Sequence, residues 1–466
     1  MTKGRIKNIT PHSNGCAVSL NIGEKTFEGD FSYKSGQHLD RSCQEVAGLL
    51  AANFALSYLP LDEIEFVCSD NEEFQLMSTL AFQNRMSYAY FIRDNKQVSE
   101  HLFSTEPCYG WEKAEVDRVD AVQDPDSALC FYSGGKDSTL SLKILDSAGY
   151  KVLPLITSLK KDEYRHTSDD APQSLNAARR DFAEAYTNID EIKPFFSETT
   201  GYPLLEGTIR LYWVASALPL ATRIEARYIS LSGELTLTHV VHYAGRRIFN
   251  NLFDQVFPAS VLVNRLLERK GFPPMLSAIQ GLTVYGVQKT LKTHFPQEIV
   301  HQLTCNHPVW DEGREQWRCC SKCEVCRSLY VIVKALGMPP DIVRLDEKKL
   351  LENRVPPEEM VGPAISQQEV EHCLAIDNTY APNYKGIVHP EVDGIQFSPE
   401  YHNPTLALSH DEYLRIYGIL DDLLRGGVYI NTDSNFKKSD LESAWNTLGN
   451  FDYTFDGKDA KVVGKI

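Results

Sequence analysis

Alternating apolar and polar residues begin close to the start of the chain. The segments CAVSLNI (16–22) and KTFEGDFSY (25–33) alternate as the two strands of a hairpin do, and EIEFVCS (63–69) and MSYAYFI (86–92) favour two further strands. Between them, CQEVAGLLAANFALSYL (43–59) predicts an amphipathic to buried helix. Residues 1–120 are therefore predicted to form an α+β module, and no recognisable catalytic constellation lies in it.

From residue 126 onward, short apolar runs alternate with helical periods. Ala128–Tyr132 predicts a buried strand, and Leu140, Ile144 and Leu145 follow it at helical spacing. The same alternation continues with predicted strands over 151–159 and 226–231 and predicted helices over 174–186 and 211–224. Strands that alternate with helices predict an α/β fold with a doubly wound parallel sheet, in which ligands bind at the carboxyl ends of the strands.

The last part of the chain is charged and proline-rich over 336–366. Two amphipathic segments follow, SQQEVEHCLAI (366–376) and HDEYLRIYGILDDLLRGG (410–427), the second ended by glycines. An acidic connector with one proline, DRVDAVQDPDS (117–127), separates the first two parts. The sequence thus predicts three domains, 1–120, 126–336 and a mainly helical C-terminal extension, 337–466.

Charge and hydropathy limit the classes of partner. The 63 acidic residues outnumber the 47 lysines and arginines, for a net charge of −16, whereas nucleic-acid backbones are bound mainly through Lys and Arg. We therefore expect tRNA binding to be unlikely. No run of 18 apolar residues occurs and the N-terminus is polar, without the apolar segment of a signal peptide. A cytoplasmic protein without a membrane partner is expected.

A glycine turn between the first predicted strand and helix of the second domain is the strongest local signal. The turn reads Ser133-Gly134-Gly135-Lys136-Asp137-Ser138. Adjacent glycines let the backbone approach a ligand, and the first N–H groups of the following helix have no intrahelical partner, which makes an anion site. The acid at Asp137 suits a phosphate only if a cation such as Mg²⁺ stands between them. An ordinary turn between a strand and a helix is the alternative.

The turn fits neither a Walker A sequence nor a dinucleotide fingerprint. Ser-Gly-Gly-x-Asp-Ser resembles instead the pyrophosphate loop of the N-type ATP pyrophosphatase (PP-loop) superfamily. That resemblance implies a loop that holds the β- and γ-phosphates while ATP is split between the α- and β-phosphates.

Other candidate ligand-binding residues follow from their places in the predicted elements. Thr157 and Ser158 lie at the end of the second predicted strand, where the adenosine is expected, and Gly233 follows the strand 226–231. Arg210 stands at a helix start, where a cation is unfavourable unless an anion joins it. Glu234 is a further candidate for substrate contact.

A cysteine cluster carries the second strong signal. Cys320, Cys323 and Cys326 repeat every three residues, and Cys305 lies upstream across a loop. Four thiolates complete the tetrahedral shell of a structural Zn²⁺, and Cys319 is a spare that could replace Cys320. An iron–sulfur cluster and unliganded thiols are the two alternatives.

Together, the loop, the helix entry Gly207-x-x-Arg210 and Leu-Thr-Cys followed by Cys-x2-Cys-x2-Cys resemble the 7-cyano-7-deazaguanine synthase (QueC) family over about residues 126–336. The resemblance implies that Cys305, Cys320, Cys323 and Cys326 bind zinc. It also implies that the enzyme adenylates 7-carboxy-7-deazaguanine, accepts ammonia to give the amide, and dehydrates the amide to the nitrile with a second ATP.

The chain departs from that family's pattern in several places. A family segment with lysine and acid falls near Ile279–Leu282, which lacks both, and members are commonly about half as long. Long, divergent relatives occur in antiviral defence operons (the QatC-like group), where the activated deazaguanine is thought to be placed on a protein amine.

We therefore expect an ATP-dependent ligase that forms a C–N bond, with ATP, Mg²⁺ and Zn²⁺ and a 7-deazaguanine carboxylate as substrate. Lys136, Asp137 and Ser138 are the expected catalytic residues, and the amine acceptor is expected on a partner protein from the same operon. An ordinary synthase that uses ammonia, a nucleotide-binding protein without turnover and a tRNA thiolase are the alternatives. The sequence does not identify the acceptor.

Overall fold

The computed structural model of the chain describes residues 2–33, 39–114, 118–159, 175–176, 179–200, 210–233, 240–249, 253–305, 307–362, 364–400, 402–431 and 436–464. Gly207 and Glu234 lie outside these ranges.

A large central sheet organises the fold. Its ten strands run in the order β12-β9-β6-β7-β8-β3-β2-β1-β4-β5. The remaining strands form small two- and three-stranded sheets. The described strands are β1 (Lys3–His12), β2 (Gly15–Ile22), β3 (Lys25–Tyr33), β4 (Glu63–Cys68), β5 (Cys108–Lys113), β6 (Asp124–Phe131), β7 (Lys151–Leu159), β8 (Ala183–Thr187), β9 (Ala226–Ser230), β10 (Val240–Tyr243), β11 (Arg246–Phe249), β12 (Met275–Leu276), β13 (Val309–Asp311), β14 (Gln316–Arg318), β15 (Ile395–Phe397), β16 (Val428–Asn431), β17 (Phe436–Ser439), β18 (Phe451–Phe455) and β19 (Ala460–Gly464).

Five neighbouring strands of this sheet, β12-β9-β6-β7-β8, are all parallel. Numbered along the chain from β6, their order across the sheet is 3-2-1-4-5, read from β8 to β12. The direction of strand addition reverses between β6 and β9, and in open α/β sheets this switch point is where a crevice opens beyond the carboxyl ends of the strands. The α/β prediction with a parallel sheet is confirmed for this part of the fold.

The N-terminal strands extend the same sheet. The predicted hairpin is present as β2 and β3, which pair antiparallel, and β3 also pairs antiparallel with β8. The ten-stranded sheet therefore runs from the predicted N-terminal module into the predicted nucleotide-binding domain.

Fourteen helices are present among the described residues, and none of them combines the length and the apolar character that a bilayer crossing requires. They are Arg41–Ser57, Asn71–Phe91, Lys96–Ser104, Lys136–Ser147, Ile192–Thr200, Arg210–Arg223, Phe257–Lys270, Val284–His294, Pro296–Ile299, Glu324–Ala335, Glu347–Glu352, Gln367–Ile376, His410–Leu424 and Leu441–Leu448.

Two segments differ from the sequence-based prediction. The segment 86–92, predicted as a strand, continues the helix Asn71–Phe91, whose start is capped by the Asp70 side chain accepting from Glu73 N–H. The helix predicted over 174–186 is wrong at its end, because Ala183–Thr187 is a strand. That strand lies between β7 and β3 and hydrogen-bonds to both, so long-range pairing outweighs local helix propensity.

The sheet is covered on both faces. Successive residues of a strand point to opposite sides. Accordingly, Leu129 belongs to the apolar core under Arg41–Ser57, Arg210–Arg223 and Phe257–Lys270, whereas Ala128 belongs to the core under Lys136–Ser147 and Val284–His294.

The C-terminal region has helices and also three short strands and a terminal hairpin. Its longest helix, His410–Leu424, packs on the helix Lys136–Ser147. From it, the Arg415 guanidinium lies over the Tyr150 ring at 4.1 Å and pairs with Asp126 at 2.7 Å. The region therefore packs directly against the elements that carry the glycine turn.

Candidate functional site: the glycine loop and the cysteine cluster

The glycine turn lies at the carboxyl end of β6, at the switch point of the sheet. β6 ends at Phe131 and the loop helix (Lys136–Ser147) begins four residues after Tyr132, so the predicted strand–turn–helix is confirmed. Gly134 has φ of +75°, a conformation that only glycine adopts without strain. Gly135 is the N-cap of the loop helix, with φ of −79° and no side chain to cap it. The first turn of the helix, whose N–H groups have no intrahelical partners, therefore lies at the carboxyl end of β6.

Ser138 holds the loop in shape from inside. Its Oγ lies 3.2 Å from the Ser133 N–H, 3.2 Å from Ser133 Oγ, and donates to Gly135 O at 3.2 Å. Ser138 is buried. Through these contacts, the Ser138 side chain stabilises the conformation of the loop.

Lys136 and Asp137 form an ion pair at the start of the helix. The Lys136 Nζ lies 2.7 Å and 2.6 Å from the two carboxylate oxygens of Asp137, and the lysine side chain is only 7% exposed. A cation thus already sits in the fork of the Asp137 carboxylate. Asp137 is the residue that would hold Mg²⁺, since one carboxylate together with substrate phosphates is a usual magnesium site.

The loop is braced by a segment that the sequence reasoning did not assign to it. Leu303 N–H donates to Gly134 O at 3.3 Å, and Lys136 N–H donates to Thr304 Oγ1 at 3.4 Å. Thr304 immediately precedes the cysteine Cys305. Its place beside a predicted metal ligand was the only sequence signal for this contact.

Two buried hydroxyl groups flank the loop, one on each neighbouring strand. Thr157 Oγ1, in β7, and Ser232 Oγ, two residues after β9, are buried without a hydrogen-bond partner among the described residues. Buried polar groups are normally paired, so both hydroxyls are candidates for hydrogen bonds to a ligand. Thr157 was predicted from the sequence as a ligand-binding residue. Its predicted neighbour Ser158 pairs with Tyr186 in the sheet. The predicted Gly233 is buried and lies next to Ser232.

Arg210 begins the helix Arg210–Arg223, as predicted. The nearby anion that the structure supplies is the buried carboxyl group of Asp254. Burial raises the pKa of Asp254 to about 6, while the Arg210 charge and a hydrogen bond from the Tyr58 hydroxyl oppose that shift. Sequence reasoning missed Asp254, because the residues around it form no recognisable motif.

The four predicted metal ligands come together. The Sγ atoms of Cys305, Cys320, Cys323 and Cys326 all lie within 4.8 Å of one another. Cys326 Sγ is 3.8 Å, 3.4 Å and 3.5 Å from those of Cys320, Cys323 and Cys305. Zn–S bonds of about 2.3 Å in a tetrahedron separate the sulfurs by about 3.8 Å. The cluster could therefore hold a single metal ion such as zinc.

Cys319 lies beside the cluster but outside the ligand set. Its Sγ contacts the backbone oxygens of Thr304 and Val343 at 3.5 Å and 3.6 Å, so Cys320 supplies the fourth sulfur. Hydrogen bonds from neighbouring thiols, that of Cys319 foremost, hold the pKa of the Cys305 thiol far below its usual value.

Chain geometry explains how the cluster forms. The hairpin of β13 and β14 returns the chain from Cys305 to Cys320. Ser321 then adopts the left-handed conformation, with φ of +58°, and Cys323 is the N-cap residue of the helix Glu324–Ala335, whose first turn contains Cys326.

No protein-family model matches the chain, and no curated protein matches its sequence.

Proposed function

We propose that the chain is an ATP-dependent ligase that adenylates a carboxylate, releases pyrophosphate and passes the acyl group to an amine. The observation that carries the proposal is the glycine loop at the switch point of the sheet. It combines helix N–H groups, a Lys–Asp pair and the buried hydroxyls of Thr157 and Ser232, which have no hydrogen-bond partner in the described part of the chain.

The substrate carboxylate oxygen attacks the α-phosphorus of ATP, and the bond to the bridging oxygen of pyrophosphate breaks. The loop N–H groups hold the β- and γ-phosphates, because anions bind at helix N-termini. Asp137 would hold a Mg²⁺ ion, which would supply positive charge next to the pyrophosphate leaving group. Lys136 adds positive charge to the phosphates when its ammonium leaves the Asp137 carboxylate.

In the second step an amine attacks the acyl carbon and AMP leaves. Following the resemblance to the deazaguanine synthase family, the carboxylate belongs to a 7-carboxy-7-deazaguanine-like base. Following the long, defence-associated members, the amine belongs to a partner protein in an antiviral system.

The cysteine cluster has a structural part in this proposal. Four thiolates leave zinc no open position for water, and the spacing of the sulfurs leaves room for one ion rather than for several irons and sulfides. The ion would fix the segment Leu303–Cys305 against the loop.

The test uses purified protein, MgATP and 7-carboxy-7-deazaguanine, with and without ammonia, and follows AMP, pyrophosphate and the base by mass spectrometry. Substrate-dependent AMP supports the proposal. Amide or nitrile in the presence of ammonia identifies ammonia as a competent acceptor, and a stalled adenylate points to a protein acceptor. No substrate-dependent AMP under any condition would contradict the deazaguanine assignment.

A matched pair of variants ties the activity to the loop. Asp137→Asn keeps the side-chain shape and removes the charge, so AMP formation should fall at least about 100-fold. Asp126→Asn removes a carboxylate from the opposite end of β6, where it pairs with Arg415, and should retain activity. Equal activities of the two variants would remove Asp137 from the mechanism.

A further inference from the structure

A small cavity with a mixed polar and apolar lining lies at the same edge of the sheet as the glycine loop. It opens beyond the ends of β9 and β12 and has a volume of about 30 Å³, which is room for about two water-sized groups. Its polar lining includes Arg210, Asp254, Ser277, Gln280 and His402, and Gly233 contributes backbone without a side chain. Apolar side chains such as Phe257 and Met275 form the rest of the wall. Gln280 lies in the stretch where the chain lacks the lysine and acid of the deazaguanine synthases.

Asp254 presents one unpaired oxygen in the cavity wall. The Tyr58 hydroxyl donates to its Oδ2, whereas Oδ1 is buried and has no hydrogen-bond partner among the described residues. A buried acceptor without a donor lacks the hydrogen bond that would offset its loss of hydration, and the cost is greater when the acceptor is charged. A ligand N–H group would satisfy it.

His402 presents an unpaired nitrogen on another part of the same wall. Its ring is fully buried, its Nε2 lies 2.8 Å from the Tyr417 hydroxyl, and Nδ1 has no partner within the described chain. Burial lowers the pKa of His402 to about 3, so the ring is neutral at pH 7. We assign the Tyr417 hydroxyl as donor to Nε2, which leaves Nδ1 as an N–H donor toward the cavity.

The mixture of donors and acceptors selects the class of ligand. Phosphate is disfavoured by the Asp254 carboxyl group, and a free ammonium ion is disfavoured by the Arg210 charge. A neutral edge that carries N–H donors next to a carbonyl oxygen satisfies both unpaired atoms at once.

We propose that this cavity binds the amino-lactam edge of the substrate's heterocycle, with ring and exocyclic N–H groups donating to Asp254 Oδ1 and the ring carbonyl accepting from His402 Nδ1. The identity of the ring, a guanine-like base, rests on the proposed function. His402 and Tyr417 belong to the C-terminal region, so that region completes the substrate pocket.

The test measures binding without ATP by calorimetry, using 7-carboxy-7-deazaguanine and the same compound without its 2-amino group. The wild-type protein should prefer the amino compound by about 10- to 100-fold, because the analogue without the amino group loses one of the two N–H groups that donate to the Asp254 carboxylate. Asp254→Asn should reduce the preference to within about threefold. His402→Leu should weaken the binding of both compounds by about tenfold and leave the ratio of their affinities unchanged. Asp126→Asn is the control, and circular dichroism checks that each variant folds.

The outcomes separate the pocket from the chemistry. An unchanged preference in a folded Asp254→Asn variant overturns the pocket assignment, even if wild-type protein forms AMP from the base. A preference that depends on Asp254 in a protein that forms no AMP supports the pocket and contradicts the proposed function. Failure of wild-type protein to bind either compound at millimolar concentration overturns the pocket.

Discussion

Replacing Asp254 by asparagine should increase the stability of the protein relative to wild type as the pH rises toward 7. The same change should remove the discrimination between substrates with and without the amino group. The side chain is 2% exposed. Burial raises the pKa of Asp254 from 3.8 to about 6, and the neighbouring Arg210 charge and the Tyr58 hydroxyl reduce the shift without cancelling it. The folded state therefore binds this proton more tightly than the unfolded state does.

The sign of the pH dependence follows. Between the two pKa values the folded state holds more protons, so the contribution of Asp254 to stability falls as the pH rises from about 4 to about 6 and is lost above that range. Each pKa unit corresponds to 1.36 kcal/mol, which gives a limit of about 3 kcal/mol, with about 2 kcal/mol of it between pH 4 and pH 7. The asparagine variant has no such dependence.

The assay is urea unfolding of wild-type and Asp254→Asn proteins from pH 4 to pH 7.5, followed by tryptophan fluorescence. The stability of the variant relative to wild type should rise by about 2 kcal/mol across this range, whatever constant change the amide causes. Asp341→Asn is the control, because Arg318 and Arg314 lower the pKa of Asp341. This carboxyl group therefore titrates below the range of the assay, and the difference between this variant and wild type should stay nearly constant from pH 4 to pH 7.5. A difference between Asp254→Asn and wild type that stays constant with pH would refute the reasoning.

The remaining predictions concern the loop and the metal. Gly134→Ala should lower the free energy of unfolding by about 1 kcal/mol or more, because φ is +75° there. Gly135→Ala should leave the free energy of unfolding within about 0.5 kcal/mol of wild type, since φ is −79° and the nearest neighbour of an added Cβ is Ser133 Oγ at 3.5 Å. The same variant should bind ATP at least about tenfold more weakly in calorimetry, because the methyl group blocks the phosphate. Unchanged ATP affinity in that variant would contradict a phosphate loop. Cys326→Ser should lose the bound metal in elemental analysis and be destabilised by several kcal/mol, whereas Cys319→Ser should keep one ion per chain; the reverse pattern would contradict the ligand set. Removal of the metal by a chelator should weaken ATP binding through loss of the Thr304 brace, and equal affinities of the metal-free and metal-bound proteins would contradict that coupling.

Local patterns were sufficient for the loop and the cysteines. The glycine turn needs a strand before it and a helix after it, and both signals lie within the 22 residues from Ala128 to Gly149. The cysteine spacing similarly predicts three of the ligands from one short segment. The hairpin of β2 and β3 follows from alternation, as does the helix Arg41–Ser57 from its apolar content.

The features that were not predicted depend on contacts between distant parts of the chain. The strand Ala183–Thr187 owes its conformation to neighbours on both sides, β7 and β3, and its local sequence favours a helix. Asp254 and His402 meet only because the C-terminal region folds back over the sheet. Neither residue lies in a recognisable motif, so the cavity emerges only from the structure. The domain limits at 120 and 336 stay predictions.

The central claim is adenylation of a carboxylate, and the most direct test follows an oxygen atom. If the carboxylate attacks the α-phosphorus, one of its oxygens stays on AMP after the amine takes the acyl group. Substrate labelled with oxygen-18 in the carboxylate should therefore give AMP that carries one labelled oxygen, together with one pyrophosphate per AMP. Labelled substrate that yields only unlabelled AMP, with the solvent as source of the new oxygen, would contradict the account.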